Sequence, residues 1–458
     1  MNANNSPRPF LVVLAVTSAV SCVMPALAQS SVGEIISTVG SERATTGNNN
    51  KIVTHNGKTH VVWQDSTPKG YFNRVRTLDH RSGQWSEPVE LNKARDNHAR
   101  PSITIDSRSF LHVILSGHSS SITWRRSLRP NDSSQWAPAE EAGAGTYPAV
   151  VCGPDDTLLA TARAAGWRGV ELMTRSPDGN WAQRRLVDRG DGWKGYSTFT
   201  SGLAVGPDGT IHLACNIARG KAGRPGLYQS VGYLRSHDAG RTWQKADGTK
   251  TPVPVLPQDM DLLVEANLPP RKLKDRKPEF PEVVANGNIV TDSEGRPYVL
   301  YISHLEKPGQ LILATPDERG KWNQRTILDA ERAYPDMRPI GSCFPVTITA
   351  DNALHILLEL VPFDDGWENG KPTRLMVLRS DPVKRLVRLV STDRGKTFSV
   401  KSLIEPGTMF NMVNIERPTG INRIPPERSP AWVYFDGSPN YPGSVKVRNN
   451  NVFFVQRR

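Results

Sequence analysis

Hydrophobic positions in this chain fall into short runs bounded by turn residues, and most runs alternate apolar with polar side chains. A period of two sends successive side chains to opposite faces of an extended strand, so the runs predict half-buried β-strands. One arrangement recurs: a turn rich in Gly, Asp or Asn, then a short strand carrying His or Tyr among apolar residues. Its copies occupy residues 56–63, 106–114, 154–160, 207–214, 293–301 and 350–357, with a weaker one at 428–434. The anchors His60, His112, Leu159 and His212 stand 52, 47 and 53 residues apart, close to the repeat length of a propeller blade. The next gap, His212 to Tyr298, is 86 residues, and its excess lies in a Pro- and Lys-rich stretch, about 245–285, read as an inserted loop.

A second pattern interleaves with the first. Trp85, Trp136, Trp181, Trp243, Trp322 and Phe398 each follow a Gly- or Ser-led turn between two strands. Two of these turns are fuller, Ser236-His-Asp238-Ala-Gly240-Arg-Thr242-Trp243 and Ser391-Thr-Asp393-Arg-Gly395-Lys-Thr397-Phe398. They resemble the Asp-box hairpin of sialidase-like propellers. In such a turn the Asp and Ser/Thr side chains satisfy backbone amides, Gly supplies positive φ, and the aromatic packs between blades. Helical periodicity is nearly absent, and 37 Gly with 36 Pro suit many short strands. The expected fold is all-β: one seven-bladed β-propeller over residues 29–458.

Residues 1–28 read as a secretory signal, with Arg8 ahead of an apolar run and Ala26-Leu27-Ala28 as the cleavage pattern. No later run is long enough to span a membrane, so an exported protein is expected, without an integral membrane segment. The 57 Lys and Arg against 45 Asp and Glu give a net charge of +12, and a basic surface favours polyanionic partners. Export moves that preference from nucleic acid to acidic polysaccharide. Three cysteines remain beyond the signal, Cys152, Cys215 and Cys343. They leave open one bridge plus a thiol, three buried thiols, or a Cys/His metal site.

His60, His112, His212 and His355 share one repeat position and are read as packing residues. His98 and His118 fall outside the repeat. His98 precedes the strand beginning at Ser102, and His118 follows the strand beginning at Leu111, so neighbouring antiparallel strands can bring them to one rim.

Here the sequence resembles the BNR-4 propeller proteins. The resemblance is carried by Asp96-Asn-His98-Ala-Arg100-Pro101-Ser, by Gly117-His118-Ser-Ser, and by Thr123-Trp124-Arg125-Arg126-Ser127. It continues through Thr146-Tyr147-Pro148, Leu159-Ala-Thr-Ala-Arg163 and Lys194-Gly-Tyr196. That family includes secreted ulvan lyases, which cleave polysaccharides containing glucuronic or iduronic acid. The resemblance implies a uronate lyase in which His98 and His118 work near C5 and O4, with Tyr147 or Tyr196 as proton shuttle or stacking platform. Arg163 would hold the carboxylate, and Arg100 and Tyr196 would bind substrate. β-Elimination needs a base, an acid and a group that neutralises the carboxylate, and these side chains suit those roles without a cofactor. The expected partner is an acidic polysaccharide, not nucleic acid, and the expected state is a monomer.

Other classes find less support. There is no Arg-Ile-Pro start for a sialidase, and carboxylate pairs such as Asp364-Asp365 lack the context that hydrolysis needs. A metal site from Cys215 or Cys343 with His212 or His355 is disfavoured because His212 and Cys215, three apart on a strand, face opposite ways. The basic run 271–277 reads as a solvated loop able to grip a polyanion. A non-catalytic glycan-binding propeller and an α-L-rhamnosidase-like hydrolase are the alternatives to the lyase.

Overall fold

The computed structural model describes residues 32–46, 49–115, 117–188, 199–219, 227–266, 284–305, 309–341, 345–363, 367–368, 371–372, 382–437 and 449–456. The signal segment, the basic run 271–277, Tyr196, Cys343 and Asp364-Asp365 lie outside them.

The two-residue period becomes antiparallel sheet throughout. The helical pieces among the described residues are one α-helix, Asp329–Ala333, and two 3-10 turns, Ala165–Trp167 and Pro257–Asp259. Consecutive strands pair as meanders. Ile52–His55, Lys58–Thr67 and Gly70–Asp79 continue into Val89–Ala94. Pro101–Ile105, Leu111–Leu115 and Ser120–Arg129 pair in turn and lead into Glu140–Cys152. The later meanders start at Phe199–Val205, Val284–Thr291 and Val346–Ile348. The C-terminal strands Asn411–Ile415, Trp432–Phe435 and Asn450–Val455 are completed by Glu34–Gly40, brought in from the other end of the described chain.

The stretch read as an inserted loop is not all loop. Asp261–Glu265 pairs with Leu227–Ser236, and Lys250–Thr251 pairs with Trp243–Gln244. The Leu-Leu-Val core of the first strand has a buried side to offer, Leu263, which outweighs the nearby prolines.

The core lies between neighbouring meanders. Val53, Val62 and Val75 of one meander pack with Ile103, Leu111 and Val113 of the next, and the other clusters repeat this scheme. The aromatics of the second sequence pattern sit in these layers: Trp136, Trp181, Trp243, Trp322 and Phe398 each join a cluster of this kind. Their hairpins are hydrogen-bonded as the side chains dictate. The Gly240 N–H donates to Ser236 Oγ (2.9 Å), and the Thr242 N–H and hydroxyl donate to Asp238 (2.8 and 2.7 Å). The Ser391/Asp393/Thr397 hairpin repeats the arrangement.

The segment 417–424 runs across the first strands of successive meanders. Thr419 bonds Thr104 (2.6 Å), Gly420 donates to the Cys152 carbonyl (3.1 Å), and Asn422 accepts from the Thr54 N–H (3.2 Å). Arg417 donates to the carbonyls of Leu203 (2.9 Å) and Ile289 (3.1 Å). One eight-residue stretch thereby ties five meanders together at their inner strands.

Candidate active site

Two turns at the same end of the second meander build the site. The first, 95–100, joins Val89–Ala94 to Pro101–Ile105. Asp96 folds it by accepting the His98 N–H on Oδ1 (2.8 Å), a local Asx turn. Gln64 donates to the carbonyls of Asp96 and Ala99, Asn73 donates to that of Ala99, and Asn97 donates to Glu42 (2.6 Å). These bonds pin the turn to the preceding meander. The second turn lies between Leu111–Leu115 and Ser120–Arg129. A Cβ on Gly117 would stand 2.6 Å from the Ser121 carbonyl oxygen, so this position takes glycine. Ser119 then adopts φ 52° and donates its N–H to Thr146 Oγ1 (2.8 Å).

The turns bring His98 and His118 together as the strand register implies. Their rings stack with centroids 4.2 Å apart and planes 17° apart. Asp96 serves both: His118 Nδ1 is 2.7 Å from Oδ2, and His98 Nδ1 is 3.4 Å from Oδ1. Each ring thus turns Nδ1 toward the one carboxylate.

Tyr147 forms the next wall, 5.8 Å from His98 between ring centroids. It sits where Glu140–Cys152 changes sheets, pairing with Ser120–Arg129 up to Gly145 and with Leu158–Arg163 from Thr146 onward. The change of direction holds Tyr147 at φ 60°, a left-handed conformation uncommon for an aromatic residue and doubly so before proline. Strain of this kind persists only where surroundings enforce it. Here three buried guanidinium groups do so: Arg100 lies 4.6 Å and Arg163 4.7 Å from the ring centre, and Arg43 donates to the hydroxyl.

Charge follows the geometry. Burial opposes ionisation of Asp96, yet hydrogen bonds from His98 and His118 outweigh it and hold the carboxyl well below its ordinary range. Burial lowers the pKa of His98 to about 4, reinforced by Arg43, His118 and Arg100 against the pull of Asp96. Arg43 is itself lowered by burial, against the pull of Tyr147, Glu42 and Asp96.

The donor atoms of Asp96, His98 and His118 lie within 4.8 Å of one another, the spacing of a metal site. Ring orientation argues otherwise. An ion shared by two imidazoles lies in the plane of both, and planes tilted by 17° at this stacking meet only more than about 10 Å away. As arranged, Asp96 holds the His118 ring through Nδ1 and the His98 backbone through its N–H.

Of the residues singled out by sequence, the structure gathers His98, His118, Tyr147, Arg100 and Arg163. Tyr196 lies outside the described residues. Arg163, expected to hold the substrate carboxylate, lies with its guanidinium 4.7 Å from the centre of the Tyr147 ring. Asp96 and Arg43 were not assigned from sequence. Asp96 stands inside the His98 motif and was legible there as a turn residue only; Arg43 precedes the first repeat, where no pattern marks it. The repeat-position histidines are packing residues. His60 bonds Thr77 and Asn131, His112 bonds Asp106, His212 bonds Tyr233, and Arg388 donates to His355. Cys152 and Cys215 are buried free thiols.

Residues 53–330 match the model of the BNR repeat-containing family. The chain belongs to that family. This BNR protein is 20% identical over 325 residues to an ulvan lyase, PL25, of Pseudoalteromonas sp. (strain PLSV), an alignment covering 62% of the chain and 64% of the relative. The match thus spans less than two thirds of that relative's length. Among solved structures it resembles a PL25 ulvan lyase with a TM-score of 0.66 at 15% identity, covering 92% of this chain and 95% of that one. The same enzyme is also known bound to -[GlcA(1-4)Rha3S]-. The polysaccharide lyase Uly1 matches with a TM-score of 0.56 at 11% identity, covering 89% and 90%. These likenesses show a shared propeller-like β fold. No helix among the described residues is long and apolar enough to cross a membrane.

Proposed function

We propose that this protein is a polysaccharide lyase that cleaves an acidic, uronate-containing polymer of the ulvan type by β-elimination. The observation that carries the reading is the His98/His118 stack, held by Asp96 and facing a tyrosine set among three buried arginines.

In the reaction a base removes the proton at C5, the C–H electrons form the C4=C5 bond, and the C4–O4 bond breaks as O4 accepts a proton. His98 and His118 supply base and acid near C5 and O4. Arg163 and Arg100 neutralise the carboxylate and so acidify C5–H. Tyr147 is the stacking platform and a proton shuttle beside the histidines, and Tyr196 adds to substrate binding. The likeness to ulvan lyases in sequence and in fold supports this assignment. The meanders are read as seven blades of one propeller, a reading supported by the ties from the segment 417–424 to the inner strands of five of them. We take the protein to be exported on its 1–28 signal and to act as a monomer on its polyanionic substrate.

The test is incubation of the protein with ulvan, glucuronan and related uronate polymers while following the ultraviolet band of the unsaturated product. Absorbance should rise with the wild type and fall by about 10²–10⁴-fold in rate for His98→Ala or His118→Ala, the usual weight of general acid–base catalysis. Reducing ends without unsaturation would point to hydrolysis, and binding without either product to a glycan-binding propeller; each outcome would overturn the lyase reading.

A further inference from the structure

Exposed cations flank the turns that build the site. On the side of the first meander, Lys69 stands in the tight hairpin that joins Lys58–Thr67 to Gly70–Asp79. Lys93, at the end of the outer strand Val89–Ala94, pairs with Phe72, and its stem crosses the same hairpin: a Cβ on Gly70 would stand 3.1 Å from Lys93 Cε and 3.9 Å from Nζ. Arg95 opens the turn that carries His98. On the far side of the site, Arg168 stands exposed between Leu158–Arg163 and Gly169–Arg175. Among the described residues none of these four side chains is paired with a carboxylate. The carboxylates around them are already engaged. Asp65 accepts from Ser37 and Trp63, Glu90 pairs with Arg74 at 3.2 Å, and Glu42 accepts from Tyr71 and Asn97. Arg185 holds Glu171 and Asp188 at 2.6 and 2.9 Å. The exposed Glu140 and Glu141 pair with Trp124 and Thr123, further down their strand than Gly145, which meets Ser120 beside the turn.

Like charges set side by side without partners repel one another. A polyanion laid across them removes that repulsion and sheds its own counterions. We infer that Lys69, Lys93 and Arg95, with Arg168 beyond the site, form a track that holds an acidic linear polysaccharide on either side of the reacting sugar. The polymer then crosses the site from the first meander toward the strands Leu158–Arg163 and Gly169–Arg175. This rests on the acidic-polymer reading above and not on how the bond is broken. Contacts spread along a chain give affinity that grows with polymer length, independently of the sugar in the site. Nucleic acid fits the track less well. Tyr71 and Phe72 beside it are buried, so neither aromatic is free to stack on a base.

Binding without turnover tests the track. Cellulose sulfate, a linear polyanion with no uronate to cleave, should bind the full chain with an affinity that falls as salt rises. The triple variant Lys69→Gln/Lys93→Gln/Arg95→Gln should bind it about tenfold more weakly at low salt, three exposed charge pairs each being worth a few-fold. The slope of log affinity against log salt should become shallower by up to about 2. Adding Arg168→Gln should deepen the loss, and an affinity unmoved by that step overturns the crossing. The control Arg81→Gln/Arg319→Gln/Lys321→Gln removes as much charge from exposed positions in the hairpins that follow Gly70–Asp79 and Gln310–Pro316. It should bind within about twofold of the wild type. Equal losses in both triple variants, or none in the first, overturn the track. So does tighter binding of single-stranded DNA than of cellulose sulfate at equal charge, which would make nucleic acid the partner.

On a polymer that is cleaved, the first triple variant should raise KM more than it lowers kcat, and the opposite split overturns the track. The two readings fail separately. If no polymer is cleaved but cellulose sulfate binds through these residues, the lyase reading fails and the track stands. If uronate polymers are cleaved and the first triple variant binds like the wild type, the track fails alone.

Discussion

Gly145 is where the fold makes the site, and replacing it tests that link directly. It stands at φ 155° on the strand that switches sheets, a backbone region almost confined to glycine. A Cβ there would lie 2.8 Å from the Arg163 carbonyl oxygen and 3.0 Å from the Ala162 Cβ. In Gly145→Ala the backbone conformation alone costs about 1–3 kcal/mol. The clash is with backbone, so Arg163 or Thr146 must also move, and we expect a total of about 2–4 kcal/mol. With a guanidinium chloride slope of about 4 kcal/mol/M, the unfolding midpoint followed by tryptophan fluorescence should fall by about 0.5–1 M. Thr146 and Arg163 are register partners, so the shift reaches Tyr147 and its guanidinium neighbours. A displacement of about 1 Å in a catalytic group is worth about 10²-fold, and kcat/KM on the uronate polymer should drop by that order in protein that is still folded. A Gly145→Ala protein with wild-type midpoint and wild-type rate would refute the claim that this switch point sets the site.

Three further outcomes follow from the structure. Trp243→Ala removes a fully buried indole from the layer between two meanders and should cost about 3–5 kcal/mol in denaturant unfolding, with kcat per folded molecule unchanged. Arg417→Met deletes its bonds to the Leu203 and Ile289 carbonyls and should cost about 2–4 kcal/mol. Amide exchange should accelerate in Phe199–Val205 and Val284–Thr291 more than in Leu158–Arg163. Finally, burial lowers the pKa of His60 and His355 to about 4, and of His212 and His304 to about 3. Because the unfolded chain binds these protons near pH 6.5 and the folded chain does not, stability is full above that pH. It should fall as pH drops toward 4 and 3, by up to about 1.4 kcal/mol per pH unit for each histidine. Melting temperatures across that range should show the slope, and His60→Gln should flatten it.

How much of this was legible beforehand depends on whether a feature is local. The period of two, the Gly- and Asp-bearing turns and the recurrent Trp positions fixed strands, hairpins and the aromatics between meanders, because each obeys rules acting over a few residues. His98 and His118 were legible as partners because two adjacent strands alone bring them together. Asp261–Glu265 was read as loop because prolines flank it, and only the unpaired edge of Leu227–Ser236 decides that it is a strand.

The site's second layer was not written in any local pattern. Arg43 comes from before the first repeat, Tyr147 takes its strained backbone from a sheet change, and Asp96 becomes a double acceptor only when a turn some twenty residues away closes over it. Sequence by itself determined the β-strand repeat, the family and the two histidines. Tertiary structure alone decided which cations surround the tyrosine and which carboxylate holds both rings, because those contacts join residues distant in the chain and depend on orientation as much as on identity.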